Sequence, residues 1–180
     1  MMQLPVEILS EHDAKRLIAD PDTSDIFGLR DAAILAVLYY AAATAAEIAS
    51  LDVSDFDRRR GTLRLRPDDG KPRRVPVEQP LAEVLGRYFA ESRRLLLAHG
   101  GAAGEGESAA AFITNKGHRV HVQDIRQILG GHSKAAGIKA AVNYNTLRLS
   151  RAWHLREAGE APEKIQRLLG TTSRSGRHLI

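Results

Sequence analysis

The segment from Leu29 to Ala43 limits the possible folds of this chain more than any other part of the sequence. After Arg30 and Asp31 it consists only of apolar residues and two tyrosines. It is shorter than the ~20 residues that an apolar helix needs to cross a bilayer. The pattern therefore predicts a central helix that is buried on most of its faces, with the other elements packed around it.

A β-hairpin is predicted farther along the chain. The segments Gly61-Thr-Leu-Arg-Leu-Arg66 and Arg73-Arg-Val-Pro-Val77 alternate in character, as half-buried strands do. The residues between them, Pro67-Asp-Asp-Gly-Lys-Pro72, are typical of a turn. We expect these two strands to pair in antiparallel fashion.

Capping residues and apolar spacing predict that most of the remaining chain is helical. Ser10-Glu-His-Asp13 resembles a capping box that opens a short helix ending near Ile18. The other predicted helices span about residues 44–51, 80–98, 122–136, 146–158 and 162–169, the last with Gly170 as its C-cap. We expect a flexible loop at 99–108 and a brief extended stretch at 111–114. The predicted fold class is mainly α with a small antiparallel β-sheet (α+β).

Composition excludes several classes of protein. The 180 residues are 43% hydrophobic and 27% charged, which suits a single folded domain over residues 1–180. Cysteine is absent, which rules out disulfides and thiolate metal sites. No signal peptide or membrane span is evident, so we expect a cytoplasmic protein. The net charge of +4 is modest, but most of its cations are arginines, which suit phosphate contacts.

Several strings, taken in order, resemble the catalytic domain of tyrosine recombinases of the Xer and lambda-integrase type, within the phage integrase family. They cover nearly the whole chain and are Leu29-Arg-Asp-Ala-Ala-Ile-Leu-Ala-Val-Leu-Tyr39, Glu47-Ile-Ala-Ser-Leu51, Leu51-Asp-Val-Ser-Asp-Phe-Asp57, Lys71-Pro-Arg-Arg-Val-Pro-Val77, Thr146-Leu-Arg148, His154-Leu155 and Leu168-Leu-Gly170. Each string is weak alone, but the ordered set is specific.

The resemblance implies a tyrosine recombinase catalytic-domain fold and a known chemistry. In that family a tyrosine hydroxyl attacks the scissile phosphate of DNA and forms a phosphotyrosyl link. Two arginines hold the phosphate oxygens, a lysine on the hairpin protonates the leaving oxygen, and histidines handle protons. The chemistry needs no metal or other cofactor, so we expect none here.

Most of the catalytic positions of the family are replaced in this chain. The first arginine, of the pattern Gly-Leu-Arg-x-x-Glu, falls on Thr44 within Ala42-Ala-Thr-Ala-Ala-Glu47. Of the other positions, the second arginine is retained as Arg148, and the rest fall on Asp68 (the lysine), Asn145, Leu149 and Thr171 (the histidines) and Ile180 (the tyrosine). The resemblance therefore implies a domain that cannot cleave DNA.

Arg148 has two interpretations. With Asn145 as the expected N-cap of its helix, it would form a phosphate site at the positive end of that helix. Alternatively, Arg148 pairs with a carboxylate such as Glu47, which also matches the family. The sequence leaves both open.

The predicted hairpin carries a cluster of cations. These are Arg64, Arg66, Lys71, Arg73 and Arg74, which we interpret as a surface that follows a DNA backbone. The alternative is a solvated strand face. His118 and His121 are spaced like a weak metal pair, but no third ligand is evident, and we predict a surface loop without metal.

We therefore predict a pseudoenzyme that binds double-stranded DNA weakly through backbone contacts, and that has no small-molecule substrate and no membrane partner. The resemblance also implies that the family's N-terminal core-binding domain and C-terminal tail are missing from this sequence. Two alternatives stay open. The domain is a protein-interaction module that binds an active tyrosine recombinase through a vacant tail-acceptor groove, or it is a decayed fragment without function.

Overall fold

The computed structural model describes residues 7–67, 70–100 and 109–171. The helices in the first part of the chain are α1 (Glu11–Ala19), α2 (Ile26–Tyr40) and α3 (Ala45–Ala49), and the strands are β1 (Phe56–Asp57), β2 (Thr62–Leu65) and β3 (Arg73–Pro76). The helices after the sheet are α4 (Gln79–Arg87), α5 (Arg93–His99), α6 (Val122–Ala135), α7 (Tyr144–Glu157) and α8 (Pro162–Leu169). A short 3-10 turn at Val53–Asp55 precedes β1, and a π-helical turn at Tyr88–Ser92 joins α4 to α5.

Helix α2 is the centre of the fold, as its apolar sequence predicted. Every residue from Ala32 to Tyr39 is at most 3% exposed. The helix contacts α1, α3, α4, α5, α6 and α7, so nearly all of its surface is covered by other helices. It begins at the N-cap Asp25, whose carboxylate accepts hydrogen bonds from the backbone N–H groups of Phe27 and Gly28 at 3.0 Å.

The predicted hairpin is confirmed and belongs to a three-stranded antiparallel sheet in the order β1-β2-β3. Leu63 lies opposite Phe56 on one side and Val75 on the other. Leu63, Leu65 and Val75 are buried, so one face of the hairpin packs on the core. Strand β1 was not predicted, because two residues are too short to show an alternating pattern.

The helix expected over 80–98 is interrupted by the π-helical turn. Around this turn, the Ser92 hydroxyl donates to the carbonyl of Ile26 at 2.6 Å. The Tyr88 hydroxyl, which is fully buried, donates to the carbonyl of Ala111 at 3.1 Å and accepts from the N–H of Ile113 at 3.2 Å. Burial raises the pKa of Tyr88, so this hydroxyl stays protonated and joins the turn to the extended segment after it.

The three predicted C-terminal helices are confirmed as α6, α7 and α8. Pro162 occupies the first turn of α8, and Gly170 ends the helix in the left-handed conformation with φ of 66°. A Cβ atom at Gly170 would lie 2.9 Å from Cδ of Arg73, so this position also needs glycine for space. The loop expected at 99–108 falls almost wholly outside the described residues.

The N-terminal segment is held against α7 by Leu9. The backbone N–H of Leu9 donates to Oγ of Ser150 at 2.9 Å. Its carbonyl oxygen lies 2.9 Å from Nε2 of His154, whose Nδ1 lies 2.7 Å from the Tyr39 hydroxyl. Because a carbonyl only accepts, Nε2 of His154 is the donor in the contact with Leu9. Residues far apart in sequence are thereby joined at one point on α7.

In the described part of the chain, no helix is both long enough and apolar enough to cross a membrane.

Candidate nucleic-acid interface

Two arginines converge on the C-terminal end of α8. Near the start of α7, Arg148 donates through Nη1 to the carbonyl of Ala42 and through Nη2 to the carbonyl of Leu169. Arg73 on β3 donates through Nε to the carbonyl of Leu168 at 2.9 Å. Helix carbonyls at a C-terminus lack partners within the helix and carry partial negative charge, so both guanidinium groups cap α8.

Arg73 also holds the buried carboxylate of Glu47. Its Nη1 and Nη2 atoms donate to the two oxygens of Glu47, the second at 3.1 Å. The side chain of Glu47 is 1% exposed and that of Arg73 is 12% exposed. A two-pronged contact of this kind is the geometry in which a buried ion pair can offset the cost of losing water.

The structure corrects two expectations about Arg148. Glu47, which was one expected partner of Arg148, is bound by Arg73. Arg148 donates instead to main-chain carbonyls. Asn145 is not the N-cap of α7, because the helix begins two residues earlier than predicted. The N-cap is Asn143, whose side chain accepts from the N–H groups of Asn145 and Thr146 at 2.9 and 3.1 Å.

The electrostatic balance at this point is positive. Burial, together with the charge of the nearby Arg73, lowers the pKa of Arg148 to about 10, and Glu47 opposes the change. Arg148 remains charged at neutral pH even so. Two guanidinium groups therefore face one carboxylate, and one positive charge is uncompensated within this group of three residues.

Thr44, where the family has its first arginine, is a helix cap. The Thr44 hydroxyl accepts from the N–H of Glu47 at 3.2 Å, and the N–H of Thr44 donates to Oε2 of Glu47 at 2.8 Å. This is a complete capping box at the start of α3. Because threonine carries no charge, the cation beside Glu47 is the guanidinium of Arg73.

The turn before Thr44 is strained at Ala42. With φ of 46°, Ala42 is the single non-glycine residue with positive φ among those the structure describes. A left-handed residue other than glycine costs roughly 1–2 kcal/mol. The family pattern quoted above places glycine at this position, so the chain retains the turn without the residue that suits it.

Ala42→Gly is expected to change the free energy of unfolding by less than about 0.5 kcal/mol, because relief of strain offsets the lost methyl group and the freer unfolded chain. The matched control is Ala36→Gly in α2, at a position 1% exposed, where no strain is relieved. This control should lose about 2 kcal/mol. Urea unfolding measures both, and equal losses would contradict strain at Ala42.

Apart from Arg73, the cations of the hairpin divide into two groups. Arg64 donates to Asp55 at 2.7 Å, and Arg66 donates to both Asp55 and Asp52. Arg119 also contacts Asp52, at 2.6 Å. Burial acts to raise the pKa of Asp52, but hydrogen bonds from Arg119 and Arg66 prevail and lower it. Arg64 and Arg66 are thus held in ion pairs, and Asp55 is fully buried beneath them.

Lys71 and Arg74 form the second group. Both are exposed, and neither side chain has a hydrogen bond or ion pair with any described residue. They are the hairpin cations that remain available to an external anion. Two of the replaced catalytic positions, Asp68 and Ile180, lie outside the described residues.

The other replaced positions differ in their surroundings. The hydroxyl of Thr171 is buried and has no hydrogen-bond partner among the described residues. Asn145 is exposed in the first turn of α7, and Leu149 is partly exposed on the same helix. Trp153, one turn beyond Leu149, is 37% exposed and stacks on Arg156.

Sequence reasoning missed the role of Arg151. Its guanidinium carbon lies 5.4 and 5.5 Å from the ring centres of Tyr39 and Tyr40, and the group pairs with Glu78 at 2.5 Å. Arg151 thereby ties α7 to α2 and to the start of α4. No sequence pattern predicts these contacts, because the partners of Arg151 lie far from it along the chain.

No group of three or more His, Cys, Asp or Glu side chains suited to a metal occurs in residues 7–67, 70–100 and 109–171. His118 and His121 are both exposed. The N–H of His121 donates to Asp124 at 2.8 Å, just before α6 begins.

A mainly helical domain with a small three-stranded antiparallel sheet and an arginine near the start of α7 is what the resemblance to tyrosine recombinase catalytic domains implies. Residues 7–175 match the profile of the Phage integrase family, and the chain belongs to that family. The mainly α fold with a small antiparallel sheet is likewise confirmed.

The relatives are recombinases of the Xer type. The chain is 33% identical to tyrosine recombinase XerC of Pelotomaculum thermopropionicum over 90% of its length and 52% of the relative's. It is 36% identical to tyrosine recombinase XerD of Mycobacterium tuberculosis over 81% of its length and 45% of the relative's. The chain thus spans about half the length of the curated relatives it matches.

Solved structures of recombinases share the fold of this chain. The XerA recombinase superimposes with a TM-score of 0.80 at 28% identity, covering 98% of this chain and 60% of that one. The XerH recombinase, solved with its difH substrate after cleavage, gives a TM-score of 0.78 at 19% identity, covering 98% and 50%. The second likeness concerns the fold alone.

Proposed function

We propose that this chain is a recombinase-type domain that associates with duplex DNA and does not cleave it. The proposal rests mainly on one observation: although most of the catalytic positions are replaced, an uncompensated positive charge remains where Arg73 and Arg148 face Glu47. A cation without a compensating carboxylate favours an external anion. The phosphate of DNA is the anion that this family handles.

DNA as the partner is supported by relatives. XerH is known in complex with its difH substrate, and the Tn1549 transposon integrase in complex with circular intermediate DNA. We extend this binding to the present chain. Double-stranded DNA would be held weakly and through its backbone, and the protein would be cytoplasmic.

The contacts to DNA are proposed residue by residue. Lys71 and Arg74 are exposed, and their side chains are unpaired among the described residues, so we assign them the main backbone contacts. Arg148, whose guanidinium also donates to the carbonyl of Leu169, would contact a phosphate near the end of α8. Arg64, Arg66 and Arg73 were expected to belong to the same DNA-binding surface, but their ion pairs with carboxylates reduce what they can offer.

Loss of catalysis follows from the replacements. Thr44 caps a helix with its hydroxyl and cannot hold a phosphate oxygen as a guanidinium does. Asn145, Leu149 and Thr171 cannot act as proton donors or acceptors near neutral pH in the way that histidine does. Binding without cleavage would make this domain an occupant of recombination sites.

The experiment is fluorescence anisotropy of labelled duplex DNA at two salt concentrations. We expect micromolar binding that weakens steeply with salt. In the variant Lys71→Glu/Arg74→Glu, affinity should fall at least ~10-fold and the slope against salt should drop by about 2, because two phosphate contacts are lost.

The matched control is Arg59→Glu/Arg94→Glu, which changes net charge equally at two exposed positions. Arg59 lies in the turn between β1 and β2, at the opposite end of β2 from Lys71. This control should keep most of the affinity. No binding at low salt, or equal losses in both variants, would contradict the assignment.

A second candidate function is binding to an active tyrosine recombinase. It is favoured by Leu149 and Trp153, two apolar side chains on one outward face of α7 that are partly exposed and exposed, respectively. Sedimentation with a full-length XerC-type recombinase tests it. A stable complex that Trp153→Ser abolishes would support this role, and independent sedimentation would refute it.

A further inference from the structure

A groove of about 280 Å³ lies between strand β3 and helix α8. Its apolar lining includes Pro76, Leu155 and Leu168. Leu168 is 9% exposed and Leu155 8%, which are the largest exposed fractions in the apolar core of the described residues. At this groove the core therefore reaches the surface.

The sheet ends at the same groove. β3 is an outer strand of the three-stranded sheet, and Pro76 lies within it. A proline on an edge strand removes one N–H from the free edge and makes addition of another strand less favourable. An occupant of the groove would therefore be held by side-chain contacts more than by backbone pairing.

The rim of the groove is positively charged. Four charged residues line it: Arg74 on β3, Glu78 before α4, and Lys164 and Arg167 on α8. Lys164 and Glu78 are each paired with a residue of opposite charge, at 2.6 and 2.5 Å. Arg74 and Arg167 are exposed and have no contact with a carboxylate among the described residues. Their charges are free to meet an anion.

We propose that this groove binds a short acidic peptide segment of a partner protein. One or two leucine-like side chains would cover Leu155 and Leu168, and flanking carboxylates would pair with Arg74 and Arg167. The occupant follows from the chemistry, because an apolar floor with a cationic rim complements an apolar, acidic segment. This inference does not depend on DNA binding.

Other occupants fit less well. A DNA backbone offers charge but no apolar group to cover the two leucines. Residues 172–180 of this chain contain Arg174 and Arg177 and no aspartate or glutamate, so their charge is unsuited to the rim. An acidic partner satisfies both parts of the groove.

The test uses a short fluorescein-labelled peptide in which two leucines are flanked by glutamates. Anisotropy should report binding to the wild-type protein and at least ~10-fold weaker binding to Arg167→Glu, because a charge-assisted contact becomes a repulsion. Arg94→Glu, an equal charge change on the exposed face of α5, should bind as the wild type does. Methyl NMR should show shifts at Leu155 and Leu168 on titration.

Three comparison probes separate the occupants. A peptide with alanines in place of the leucines, and one with lysines in place of the glutamates, should each bind much more weakly. Equal binding by either one would overturn the proposal, as would no binding by the first peptide. Duplex DNA that shifts the same methyl signals and displaces the peptide would assign the groove to DNA. A peptide shift that grows only with protein self-association would assign it to a second copy.

Discussion

Arg73→Ala is expected to lower the free energy of unfolding by about 3–5 kcal/mol. The substitution leaves Glu47, which is 1% exposed, as a buried carboxylate without its cation. It also removes the donor to the carbonyl of Leu168 at the end of α8. The measurement is urea unfolding followed by circular dichroism, with the slope against urea compared between variants.

The pair is tested by a double substitution. Arg73→Ala/Glu47→Gln should recover much of the loss, because a neutral amide no longer needs a buried counter-charge and can still accept from the N–H of Thr44. Arg74→Ala, at the exposed neighbouring position, should change stability by less than ~0.5 kcal/mol. If the alanine variant is too unstable to purify, Arg73→Lys can be measured in its place, and its loss of unfolding free energy should be smaller. Equal effects at positions 73 and 74 would contradict a buried ion pair.

No covalent adduct is expected when the protein is incubated with a suicide duplex that traps cleavage products. Each missing acid, base or phosphate contact costs roughly 10²–10⁴ in rate, and such groups act as a unit. Ile180→Tyr alone should not restore cleavage, because Thr44, Asp68, Asn145 and Leu149 remain. The assay is denaturing gel electrophoresis of labelled DNA.

An active XerC-type recombinase on the same kind of duplex provides the positive control. An adduct that forms with the wild-type chain and survives denaturation would refute the proposed loss of catalysis. DNA binding in the anisotropy assay with no adduct here would separate association from chemistry. The two measurements therefore test different parts of the proposed function.

The fold was predictable because its strongest signals are local. The apolar run at the centre, the turn residues of the hairpin, Pro162 and Gly170 each specify a nearby structure that tertiary contacts do not override. The two-residue β1 is too short to show an alternating pattern, and the π-helical turn depends on contacts with distant segments such as that of Ser92 with Ile26. The start of α7 was misplaced for a related reason: Asn143 and Asn145 are both good caps by sequence, and packing selects the first.

The sequence predicted which residues belong to the site better than it predicted which partners they contact. The sequence placed Arg148 and Glu47 in one neighbourhood, but it could not show that Arg73 takes the carboxylate and leaves Arg148 to main-chain carbonyls. It also counted Arg64 and Arg66 as available charge, because their partners Asp52 and Asp55 lie on another element. Charge that is neutralised by tertiary contacts cannot be recognised from composition.

The contact between Leu9 and α7 has a mechanical meaning. A force that pulls on the chain before Leu9 would act first on the hydrogen bonds that join Leu9 to Ser150 and His154. These bonds would pass the force directly to α7. Ser150 lies two residues beyond Arg148 on that helix. Any load on the N-terminal end of the domain would therefore reach α7, and with it the arginine that caps α8, before it reached the rest of the core.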